Sequence, residues 1–299
     1  MFITIAKNHI LLRQETIFSQ TVGTHLKINM KLLSWNTAGR TNKIEKQYEA
    51  INIHNPDIIC LQEIQFSGEE KWQKVLSTDY DYVISSFNHI QERSKTGPRK
   101  YHLMIASKKH IKLDRNASKH VPWEERLLVV KLENYNLRIA TTHIRPGGNN
   151  GWIKIDFFEG LYDLLTENNI ILMGDFNSPK KEFLDGTTMT WGQNQNSKGE
   201  IKIRHKIKGK EGRRWHVGEY NLLRGIEKIN YLDYFRYLHG YKVEAFSWLT
   251  NTNRDIKYRF DHAIGPNHIL PSMAKYDVGL IHQRLSDHAP LIINLKILN

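Results

Sequence analysis

Cysteine is almost absent from this 299-residue chain, which contains only Cys60. A single thiol cannot form an internal disulfide, and it excludes a zinc site built from several cysteines. Because nothing in the sequence requires an oxidising compartment, we expect the protein to lie in the reducing cytoplasm.

Long apolar runs are also lacking. No stretch reaches the roughly 18 consecutive apolar residues that would cross a bilayer. The N-terminus lacks the basic start, apolar stretch and small-residue cleavage site of a signal peptide. We therefore expect no membrane insertion. Residues 1–29 are poorly patterned and are interpreted as an N-terminal extension, either disordered or a mis-assigned start, whereas residues 30–299 are expected to form one domain.

Three motifs with a known mechanism are missing as well. The sequence has no P-loop, no His-Glu-x-x-His pair and no nucleophile elbow. These absences argue against P-loop phosphate binding, a helix-borne zinc protease site and a serine hydrolase triad of the elbow type.

Acidic residues are outnumbered, with 31 Asp and Glu against 43 Lys and Arg, and the formal net charge is +12. Such a surplus attracts polyanions and speeds their encounter with the protein. It is equally typical of a basic protein that binds no polyanion, so charge alone leaves both interpretations open.

Short β-prone runs alternate with helical stretches. Strands are predicted at 31–35, 57–61, 80–87, 103–106, 127–130, 137–142, 170–173, 243–248, 257–264 and 291–295, and helices at 42–54, 67–77, 153–168 and 226–238. The alternation favours α/β layers, and the close spacing of 127–130 and 137–142 favours some antiparallel pairing. One domain of packed sheets covered by helices fits this pattern best.

Polar residues adjoin the predicted strands at six places, five times where an apolar run ends and once where the final strand opens. They are Asn36, Glu63, His143, Asp175 with Asn177, Asp261, and Asp287 with His288. Each alone has an ordinary explanation as a solvated carboxylate, a turn, a hydrogen-bonded histidine or a cap. Six such places in one chain favour a shared site at the rim of a sheet, where ligand sites of α/β folds form.

The chemistry of these side chains favours a hard cation. Carboxylates without cysteine suit Mg²⁺ or Mn²⁺, and such an ion can neutralise phosphate oxygens during an in-line displacement. Histidine can hydrogen-bond or transfer a proton near neutral pH. The residue types therefore predict metal-dependent hydrolysis of phosphate esters.

The motifs also resemble a known family. They are Ser34-Trp35-Asn36, Leu61-Gln62-Glu63, Thr142-His143, Gly174-Asp175-Phe176-Asn177, Arg259-Phe260-Asp261-His262 and Ser286-Asp287-His288-Ala289-Pro290. In this order they are similar to the endonuclease/exonuclease/phosphatase superfamily, which includes exonuclease III, deoxyribonuclease I, neutral sphingomyelinases, deadenylases and a tyrosyl-DNA phosphodiesterase. The resemblance covers residues 31–296 and implies a four-layer α/β/β/α sandwich of two mixed β-sheets flanked by helices.

The resemblance also implies roles for the metal and water ligands. By this likeness Glu63 is the principal metal ligand, and Asn36 and Asp287 lie around the same or a second metal position. Asp175 activates or orients the attacking water. Asn177 holds the phosphate and the water beside it.

Further roles concern the phosphate itself. By the same likeness His288 contacts the scissile phosphate and stabilises its developing charge, while Asp261 holds the imidazole. His143 lies near the phosphate or the leaving group. Arg145, in the glycine-rich loop Arg145–Gly151 that follows, is a candidate phosphate clamp or a surface arginine in a turn.

Some residues depart from the family pattern, and these departures indicate which subgroup of the superfamily the sequence resembles. Exonuclease III-type and abasic-site enzymes carry a tyrosine where this chain has His143, which argues against abasic-site specificity. Deoxyribonuclease I pairs its corresponding histidine with a glutamate, but residues 95–106 contain no acid, so we expect that pair to be absent. The phrase Ser286–Pro290 is closer to exonuclease III.

A basic insertion spans roughly residues 180–216. In it Ile201, Ile203 and Ile207 alternate with Lys202, Arg204, Lys206 and Lys208, and Lys210, Arg213 and Arg214 extend the charge. Alternation of this kind predicts a strand or hairpin with one apolar and one basic face. Trp191 and Trp215 flank the segment, and basic side chains with aromatics are typical of single-strand binding. The segment Lys202–Lys208 is therefore a candidate nucleic-acid contact, although a solvated hairpin would give the same pattern.

These observations favour a monomeric, Mg²⁺-dependent nuclease or DNA-repair phosphodiesterase that acts on DNA or RNA as an endonuclease or an exonuclease. The alternative is a phosphatase or sphingomyelinase-like phosphodiesterase that acts on a lipid or small-molecule phosphate ester. A catalytically inactive binding module is a third interpretation, but the complete set of polar residues argues against it.

Overall fold

The computed structural model describes residues 27–89, 97–167, 169–250 and 256–298. Two six-stranded sheets lie face to face, with helices packed on the outer face of each. The predicted α/β class and four-layer sandwich are therefore confirmed. Of the expected extension, residues 1–26 lie outside the described residues, and residues 27–29 belong to the first strand.

The first sheet is built from β1 (Lys27–Asn36), β2 (Ile58–Gln65), β3 (Tyr82–Ser85), β4 (Tyr101–Ser107), β19 (Leu270–Tyr276) and β20 (Leu291–Leu298). Their order across the sheet is β19-β20-β1-β2-β4-β3. β1 and β2 are parallel, whereas the other neighbouring pairs are antiparallel. The sheet is therefore mixed.

The second sheet is built from β5 (Ile111–Leu113), β6 (Leu127–Leu132), β7 (Leu137–His143), β8 (Ile170–Asp175), β15 (Tyr231–Asp233) and β18 (Asp261–Pro266). Their order is β15-β18-β8-β7-β6-β5. β7 and β8 are parallel. β6 and β7 pair antiparallel, as the spacing of their apolar runs predicts.

The helices are α1 (Ile44–His54), α2 (Phe66–Leu76), α3 (Gly147–Asn150), α4 (Ile153–Glu167), α5 (Gly212–Leu223), α6 (Tyr234–His239) and α7 (Gly279–His282). Single 3₁₀ turns lie at Thr41–Lys43, Ser86–His89, Gly97–Arg99, Ala117–His120, Glu124–Arg126 and Gly225–Ile229. None of these described helices is both long and apolar enough to span a bilayer.

Short strands form four separate two-stranded hairpins. They are β9 (Lys181–Glu182) with β10 (Thr188–Met189), β11 (Gln193–Gln195) with β12 (Ile201–Ile203), β13 (Lys206–Ile207) with β14 (Lys210–Glu211), and β16 (Trp248–Leu249) with β17 (Lys257–Tyr258).

Three apolar layers hold the sandwich together. Between the sheets, Leu32 of β1 belongs to one buried cluster with Ile139 and Met173 of β7 and β8. Outside the first sheet the buried Trp72 of α2 packs with β1 and β2, and outside the second sheet the buried Phe158 of α4 packs with β7 and β8. Strands that are buried on both faces explain why their sequences are almost continuously apolar.

Three predicted elements are wrong in part. The strand predicted at 257–264 is divided into β17, which pairs with β16, and β18, which belongs to the second sheet. The helix predicted at 226–238 is a 3₁₀ turn, the strand β15 and the short helix α6, because Asn230 adopts a left-handed φ of 61° and the next residues pair with β18. The strand predicted at 243–248 is reduced to β16. Val243 is 45% exposed there, and residues 243–246 belong to no described strand, whereas the N–H of Ser247 donates to the Tyr258 carbonyl of β17 at 2.9 Å.

Candidate active site

The polar ends of the strands meet at one edge of the sandwich. His143 at the end of β7 and Asp261 at the start of β18 both lie opposite Asp175 in the strand register. Asn36 at the end of β1 and Glu63 in β2 belong to the facing sheet. Because the carboxyl ends of parallel strands lie at the same edge, the fold brings these residues together.

Asp175 is the centre of this arrangement. Its carboxylate accepts hydrogen bonds from the side chain of Asn36 at 3.0 Å and from the side chain of Asn177 at 3.1 Å. The backbone N–H of Asn177 donates to the other oxygen at 2.8 Å. Burial, opposed by the charge of His288 but reinforced by Asp261, raises the pKa of Asp175 to about 7. The three hydrogen bonds therefore hold the carboxylate in one orientation, but the surroundings do not fully neutralise its negative charge.

Glu63 occupies a bulge in β2. The pairing of β2 with β4 shifts between Leu61 and Ile64, and Glu63 adopts a positive φ of 59°. Such backbone is unfavourable for a residue with a Cβ and is found mainly where function requires it. The bulge places the Glu63 carboxylate 3.3 Å from the Asn36 amide and 3.5 Å from His143 Nε2. Burial raises the pKa of Glu63.

His288 and Asp261 form a buried dyad. His288 Nδ1 lies 2.8 Å from Asp261 Oδ2, and His288 Nε2 lies 3.8 Å from Asp175. Burial alone would lower the pKa of His288, but the carboxylates of Asp261 and Asp175 outweigh it and raise that pKa to about 10. The imidazole is therefore a cation at neutral pH.

His143 has the opposite environment. Its Nδ1 lies 2.7 Å from Arg126 Nη1, and the Arg126 side chain is fully buried. A guanidinium only donates, so Nδ1 accepts and the ring proton sits on Nε2, which points at Glu63 and Asp175. Burial and the charges of Arg126 and Arg145 hold the pKa of His143 well below its usual range. His143 is therefore a neutral hydrogen-bond donor.

The oxygen atoms at this edge fit a divalent cation. One donor atom from each of Glu63, His143 and Asp175 lies within 4.8 Å of the other two. Since His143 presents N–H rather than a lone pair, the ligands that suit a hard cation are the two carboxylates. A buried carboxylate on Asp175 and a partly buried one on Glu63, both with raised pKa values, gain from a cation between them.

Asp287 and Asn36 differ from the rest of the expected ligand set. Asp287 lies in the cleft wall, where its carboxylate accepts a hydrogen bond from Trp248 Nε1 at 3.0 Å. The carbonyl oxygen of the Asn36 side chain accepts from the N–H of Ala38, and its NH₂ faces Glu63 and Asp175. Asn36 thus bridges the two carboxylates, while Asp287 is not among the converging donor atoms of the described residues.

The loop that carries Asn177 is hydrogen-bonded to a buried ion pair. Sequence analysis did not predict this pair. Lys154 Nζ and Glu219 Oε1 are 2.7 Å apart, and both side chains are buried. Lys154 donates to the Asn177 carbonyl at 2.9 Å and to the Ser178 hydroxyl at 2.7 Å. Glu219 accepts from the backbone N–H of Trp191 at 2.7 Å. The pair therefore connects α4, α5, the Asn177 loop and the start of the insertion.

A cleft of about 730 Å³ opens above these groups. Its floor includes Glu63, His143, Asp175, Asn177 and His288. Its walls carry five aromatic side chains and four cationic ones, namely Trp191, Trp215, Trp248, Tyr258, Phe260, Arg145, Lys154, Arg204 and Lys208. A ligand with both flat apolar rings and negative charge fits such walls.

The basic insertion departs from its predicted form. The alternating segment is divided between two hairpins, because β12 pairs with β11 and β13 pairs with β14. Ile207 packs against Trp152 and Trp215, but Ile203 is 45% exposed, so the expected continuous apolar face is wrong. Only Arg204 and Lys208 of the predicted contact segment's cationic residues line the cleft.

Arg126 and the aromatic wall could have been found in part from sequence. Leu127 pairs with Thr142, so the residue before β6 falls opposite His143 in the register. Tyr258 and Phe260 are two residues apart, which places both rings on one side of an extended segment. Their rings stack at 4.7 Å. Lys154 and Glu219, in contrast, are 65 positions apart in sequence and lie on different helices, so no local pattern connects them.

Comparison with known proteins identifies relatives. The profile of the Endonuclease/Exonuclease/phosphatase family matches residues 33–288. A DNA-(apurinic or apyrimidinic site) endonuclease from Dictyostelium discoideum is 20% identical over 269 residues, which is 88% of this chain and 69% of that protein.

Two solved structures share the fold at 15% identity. One is D. rerio TDP2 humanised by 14 mutations, with a TM-score of 0.58 over 89% of this chain and 98% of that one. The other is the 3′ phosphatase NExo from Neisseria bound to a product DNA hairpin, with a TM-score of 0.61 over 88% of this chain and 98% of that one.

Proposed function

The chain belongs to the endonuclease/exonuclease/phosphatase family, and we propose that it is a divalent-metal-dependent hydrolase that cleaves phosphodiester bonds in DNA or RNA. The proposal rests on one observation above the others, which is that Glu63, Asp175 and His288 share the floor of a cleft with aromatic and cationic walls. The names of the relatives, which act on or bind DNA, support a nucleic-acid substrate.

The metal would be held by carboxylate oxygens. A bound Mg²⁺ or Mn²⁺ would neutralise phosphate oxygens and stabilise charge in the transition state. Glu63 would be the principal ligand, with Asp175 close by and Asn36 fixing the separation of the two carboxylates. A rotation of Asp287 away from Trp248 would be needed for it to join them.

Asp175 and Asn177 would handle the attacking water. Burial raises the pKa of Asp175 and so favours a carboxylate that accepts a proton from water. The two hydrogen bonds from Asn177 to Asp175 fix the orientation of the carboxylate. The amide of Asn177 would thus lie next to the water and one phosphate oxygen.

The phosphate would be held by donors on the opposite side. His288, kept cationic by Asp261, would hydrogen-bond a phosphate oxygen and offset the charge that develops there. His143 would donate from Nε2. Arg145 lines the cleft next to these groups, and its buried Nε has no hydrogen-bond partner among the described residues, so it is a candidate clamp for a phosphate.

The walls of the cleft would hold the nucleotides. Aromatic side chains stack on bases without much sequence preference, and cations follow the backbone. Arg204 and Lys208 supply cations from the insertion, and Trp191 supplies a ring beside them. The monomeric state expected from the sequence is part of this proposal. The single cysteine, Cys60, is buried and unpaired, which supports a reducing compartment such as the cytoplasm.

The experiment that tests this function is a substrate panel with Mg²⁺, Mn²⁺ and EDTA. The panel contains single- and double-stranded DNA, abasic DNA, RNA, a phosphomonoester and a generic phosphodiester. We expect cleavage of a nucleic acid with either metal and none with EDTA. Hydrolysis of the small esters alone would contradict the proposal and favour the phosphatase or sphingomyelinase-like alternative.

Replacement of the proposed base tests the site itself. Asp175→Asn removes the general base while preserving the side-chain size, so we expect turnover to fall about 10²- to 10⁴-fold. The thermal midpoint should change little. Asp163→Asn, an exposed carboxylate on α4, is the matched control and should keep normal activity. Near-normal turnover of Asp175→Asn would reject the assignment.

A further inference from the structure

A second cavity of about 590 Å³ lies beside the cleft. We call it the lateral groove and define it by Lys180, Lys181, Phe183, Phe246, Lys257 and Tyr258, which line it. Tyr258 lines both the lateral groove and the cleft, so one aromatic side chain forms the wall between them. The two cavities are therefore neighbours on one surface.

The lateral groove is positively charged. Among its lining residues the cationic side chains outnumber the carboxylates five to two. Arg236 and Arg259 are both ion-paired with Glu182, at 2.7 Å from each, and Arg259 is also paired with Asp233 at 2.7 Å. Lys181 and Lys257 are exposed, and neither has an ion-pair partner within the part of the chain that the structure describes. Glu244 is the one other carboxylate of the lining, against three lysines, so the lateral groove keeps a positive excess for an anion.

Each free ammonium group lies next to an aromatic ring. Lys181 Nζ is 4.5 Å from the centre of the Phe183 ring, and Lys257 Nζ is 4.9 Å from that of Phe246. A nucleotide carries a phosphate and a flat base, and so matches a cation and a ring side by side. An acidic peptide would use the cations but not the rings.

The rings between the cavities continue this surface. Tyr258 stacks on Phe260 at 4.7 Å with an interplanar angle of 9°, and on Trp248 at 5.8 Å with an angle of 26°. Phe260 and Trp248 line the cleft. Aromatic surface thus extends from the floor of the cleft to the wall of the lateral groove.

We propose that the lateral groove binds a single-stranded flank of the nucleic acid whose scissile phosphate lies in the cleft. This inference rests on the proposed function. The strand would cross Tyr258, with phosphates against Lys181 and Lys257 and bases against Phe183 and Phe246. Because the lateral groove lies on one side of the cleft, only the flank on that side would use it.

The test is the dependence of KM on flank length. Substrates carry single-stranded flanks of two or twelve nucleotides, on one side or the other of the cleaved bond. The wild-type enzyme should show a lower KM for the long flank on one side only. The variant Lys181→Gln/Lys257→Gln should raise that KM about tenfold at low salt, and leave kcat and the short-flank KM unchanged.

Salt dependence provides a second measurement. Removal of one lysine that binds a phosphate should reduce the slope of log affinity against log salt by about 0.7 for a single strand, so the double variant should reduce it by about 1.4. Lys46→Gln/Lys74→Gln, which removes two exposed lysines from α1 and α2, makes the same change of net charge and should have no effect. Equal KM values for both flank lengths in the wild-type enzyme would overturn the proposal, as would a variant that affects both lengths equally.

Direct binding separates this proposal from the proposed function. Asp175→Asn protein should bind labelled oligothymidylate, and additional Lys181→Gln/Lys257→Gln changes should weaken that binding. The proposal is wrong if the oligonucleotide binds equally well with and without the two lysine changes, while polyglutamate binds only to the protein that keeps both lysines. The lateral groove would then be a peptide site. If wild-type enzyme cleaves no nucleic acid in the panel, the proposed function itself fails.

Discussion

Two histidines in the same cleft differ in charge, because His288 is cationic and His143 is neutral. The carboxylates around His288 raise its pKa to about 10, whereas burial next to Arg126 holds the pKa of His143 well below its usual range. His288 can therefore offset negative charge on a phosphate, while His143 can only donate a hydrogen bond from Nε2. Divergent environments of this kind assign different roles to residues of the same type.

A further residue-scale feature is the buried pair of Lys154 and Glu219. Lys154→Met would leave a buried carboxylate without its cation, and breaking such a pair costs about 3–5 kcal/mol. We expect the urea midpoint to fall accordingly. Because Asn177 rests on the same pair, turnover should fall as well.

The double variant Lys154→Met/Glu219→Gln serves as the control for this prediction. It removes both charges and retains an acceptor for Trp191 or Ser178. It should be more stable than Lys154→Met alone by at least about 1 kcal/mol, since the two residues are coupled. If the losses of the single variants simply add, the two side chains do not act as a pair.

At the scale of elements, the two hairpins of the insertion determine which of its lysines face the cleft. The tight turn of β13 and β14 places Lys208 at a left-handed φ of 46°, on the side facing the cleft. Lys202, in β12, is instead paired with the exposed Glu200 at 3.1 Å. The alternating sequence does not distinguish Lys202 from Lys208. In the structure Lys208 lines the cleft and Lys202 does not.

This difference predicts unequal effects of neutralisation. Arg204→Gln/Lys208→Asn should reduce the salt slope of single-strand binding by about 1.4, because two cleft cations are removed. Asparagine is chosen at 208 because it tolerates left-handed backbone. Lys202→Gln/Lys206→Gln makes the same charge change on the other side and should alter the slope less. Similar slopes for both variants, measured by fluorescence anisotropy, would argue against a contact through the cleft wall.

At the scale of the whole molecule, the site lies where the two sheets meet. Asn36 and Glu63 come from the first sheet, and His143, Asp175 and Asp261 come from the second. Any loss of packing between the sheets would therefore separate the carboxylates. The central apolar cluster thus stabilises the fold and fixes the geometry of the site.

Strand pairing extends to the first described residues. Residues 27–29 at the start of β1 pair with residues 296–298 at the end of β20. A chain beginning at residue 27 keeps this pairing and is the reference for a shorter chain. A chain beginning at residue 30 should unfold a few degrees lower, because three residues of strand pairing are removed. Equal midpoints for both truncated chains would show that this pairing contributes no stability.

The sequence predicted the strands whose apolar runs are buried on both faces, such as β8, because burial on both sides leaves a continuous apolar run. It failed where the pattern was ambiguous. Residues 226–238 have apolar spacing compatible with a helix, but Asn230 interrupts it and Tyr231–Asp233 pairs with β18. β19 was not predicted, since its burial alternates irregularly around a bulge.

For the candidate site, the sequence by itself determined which polar residues adjoin apolar strands. Asn36, His143 and Asp175 end strands and Glu63 lies near the end of one, whereas Asp261 begins a strand and His288 precedes one. Tertiary structure alone decided how they are oriented. Whether Glu63 points into the cleft depends on a bulge in β2, and the charge of each histidine depends on a neighbour distant in sequence, Asp261 for His288 and Arg126 for His143. Local sequence encodes burial and strand ends, whereas protonation and orientation depend on contacts between separate segments, within one sheet for Arg126 and His143 and between the two sheets for Asp261 and His288.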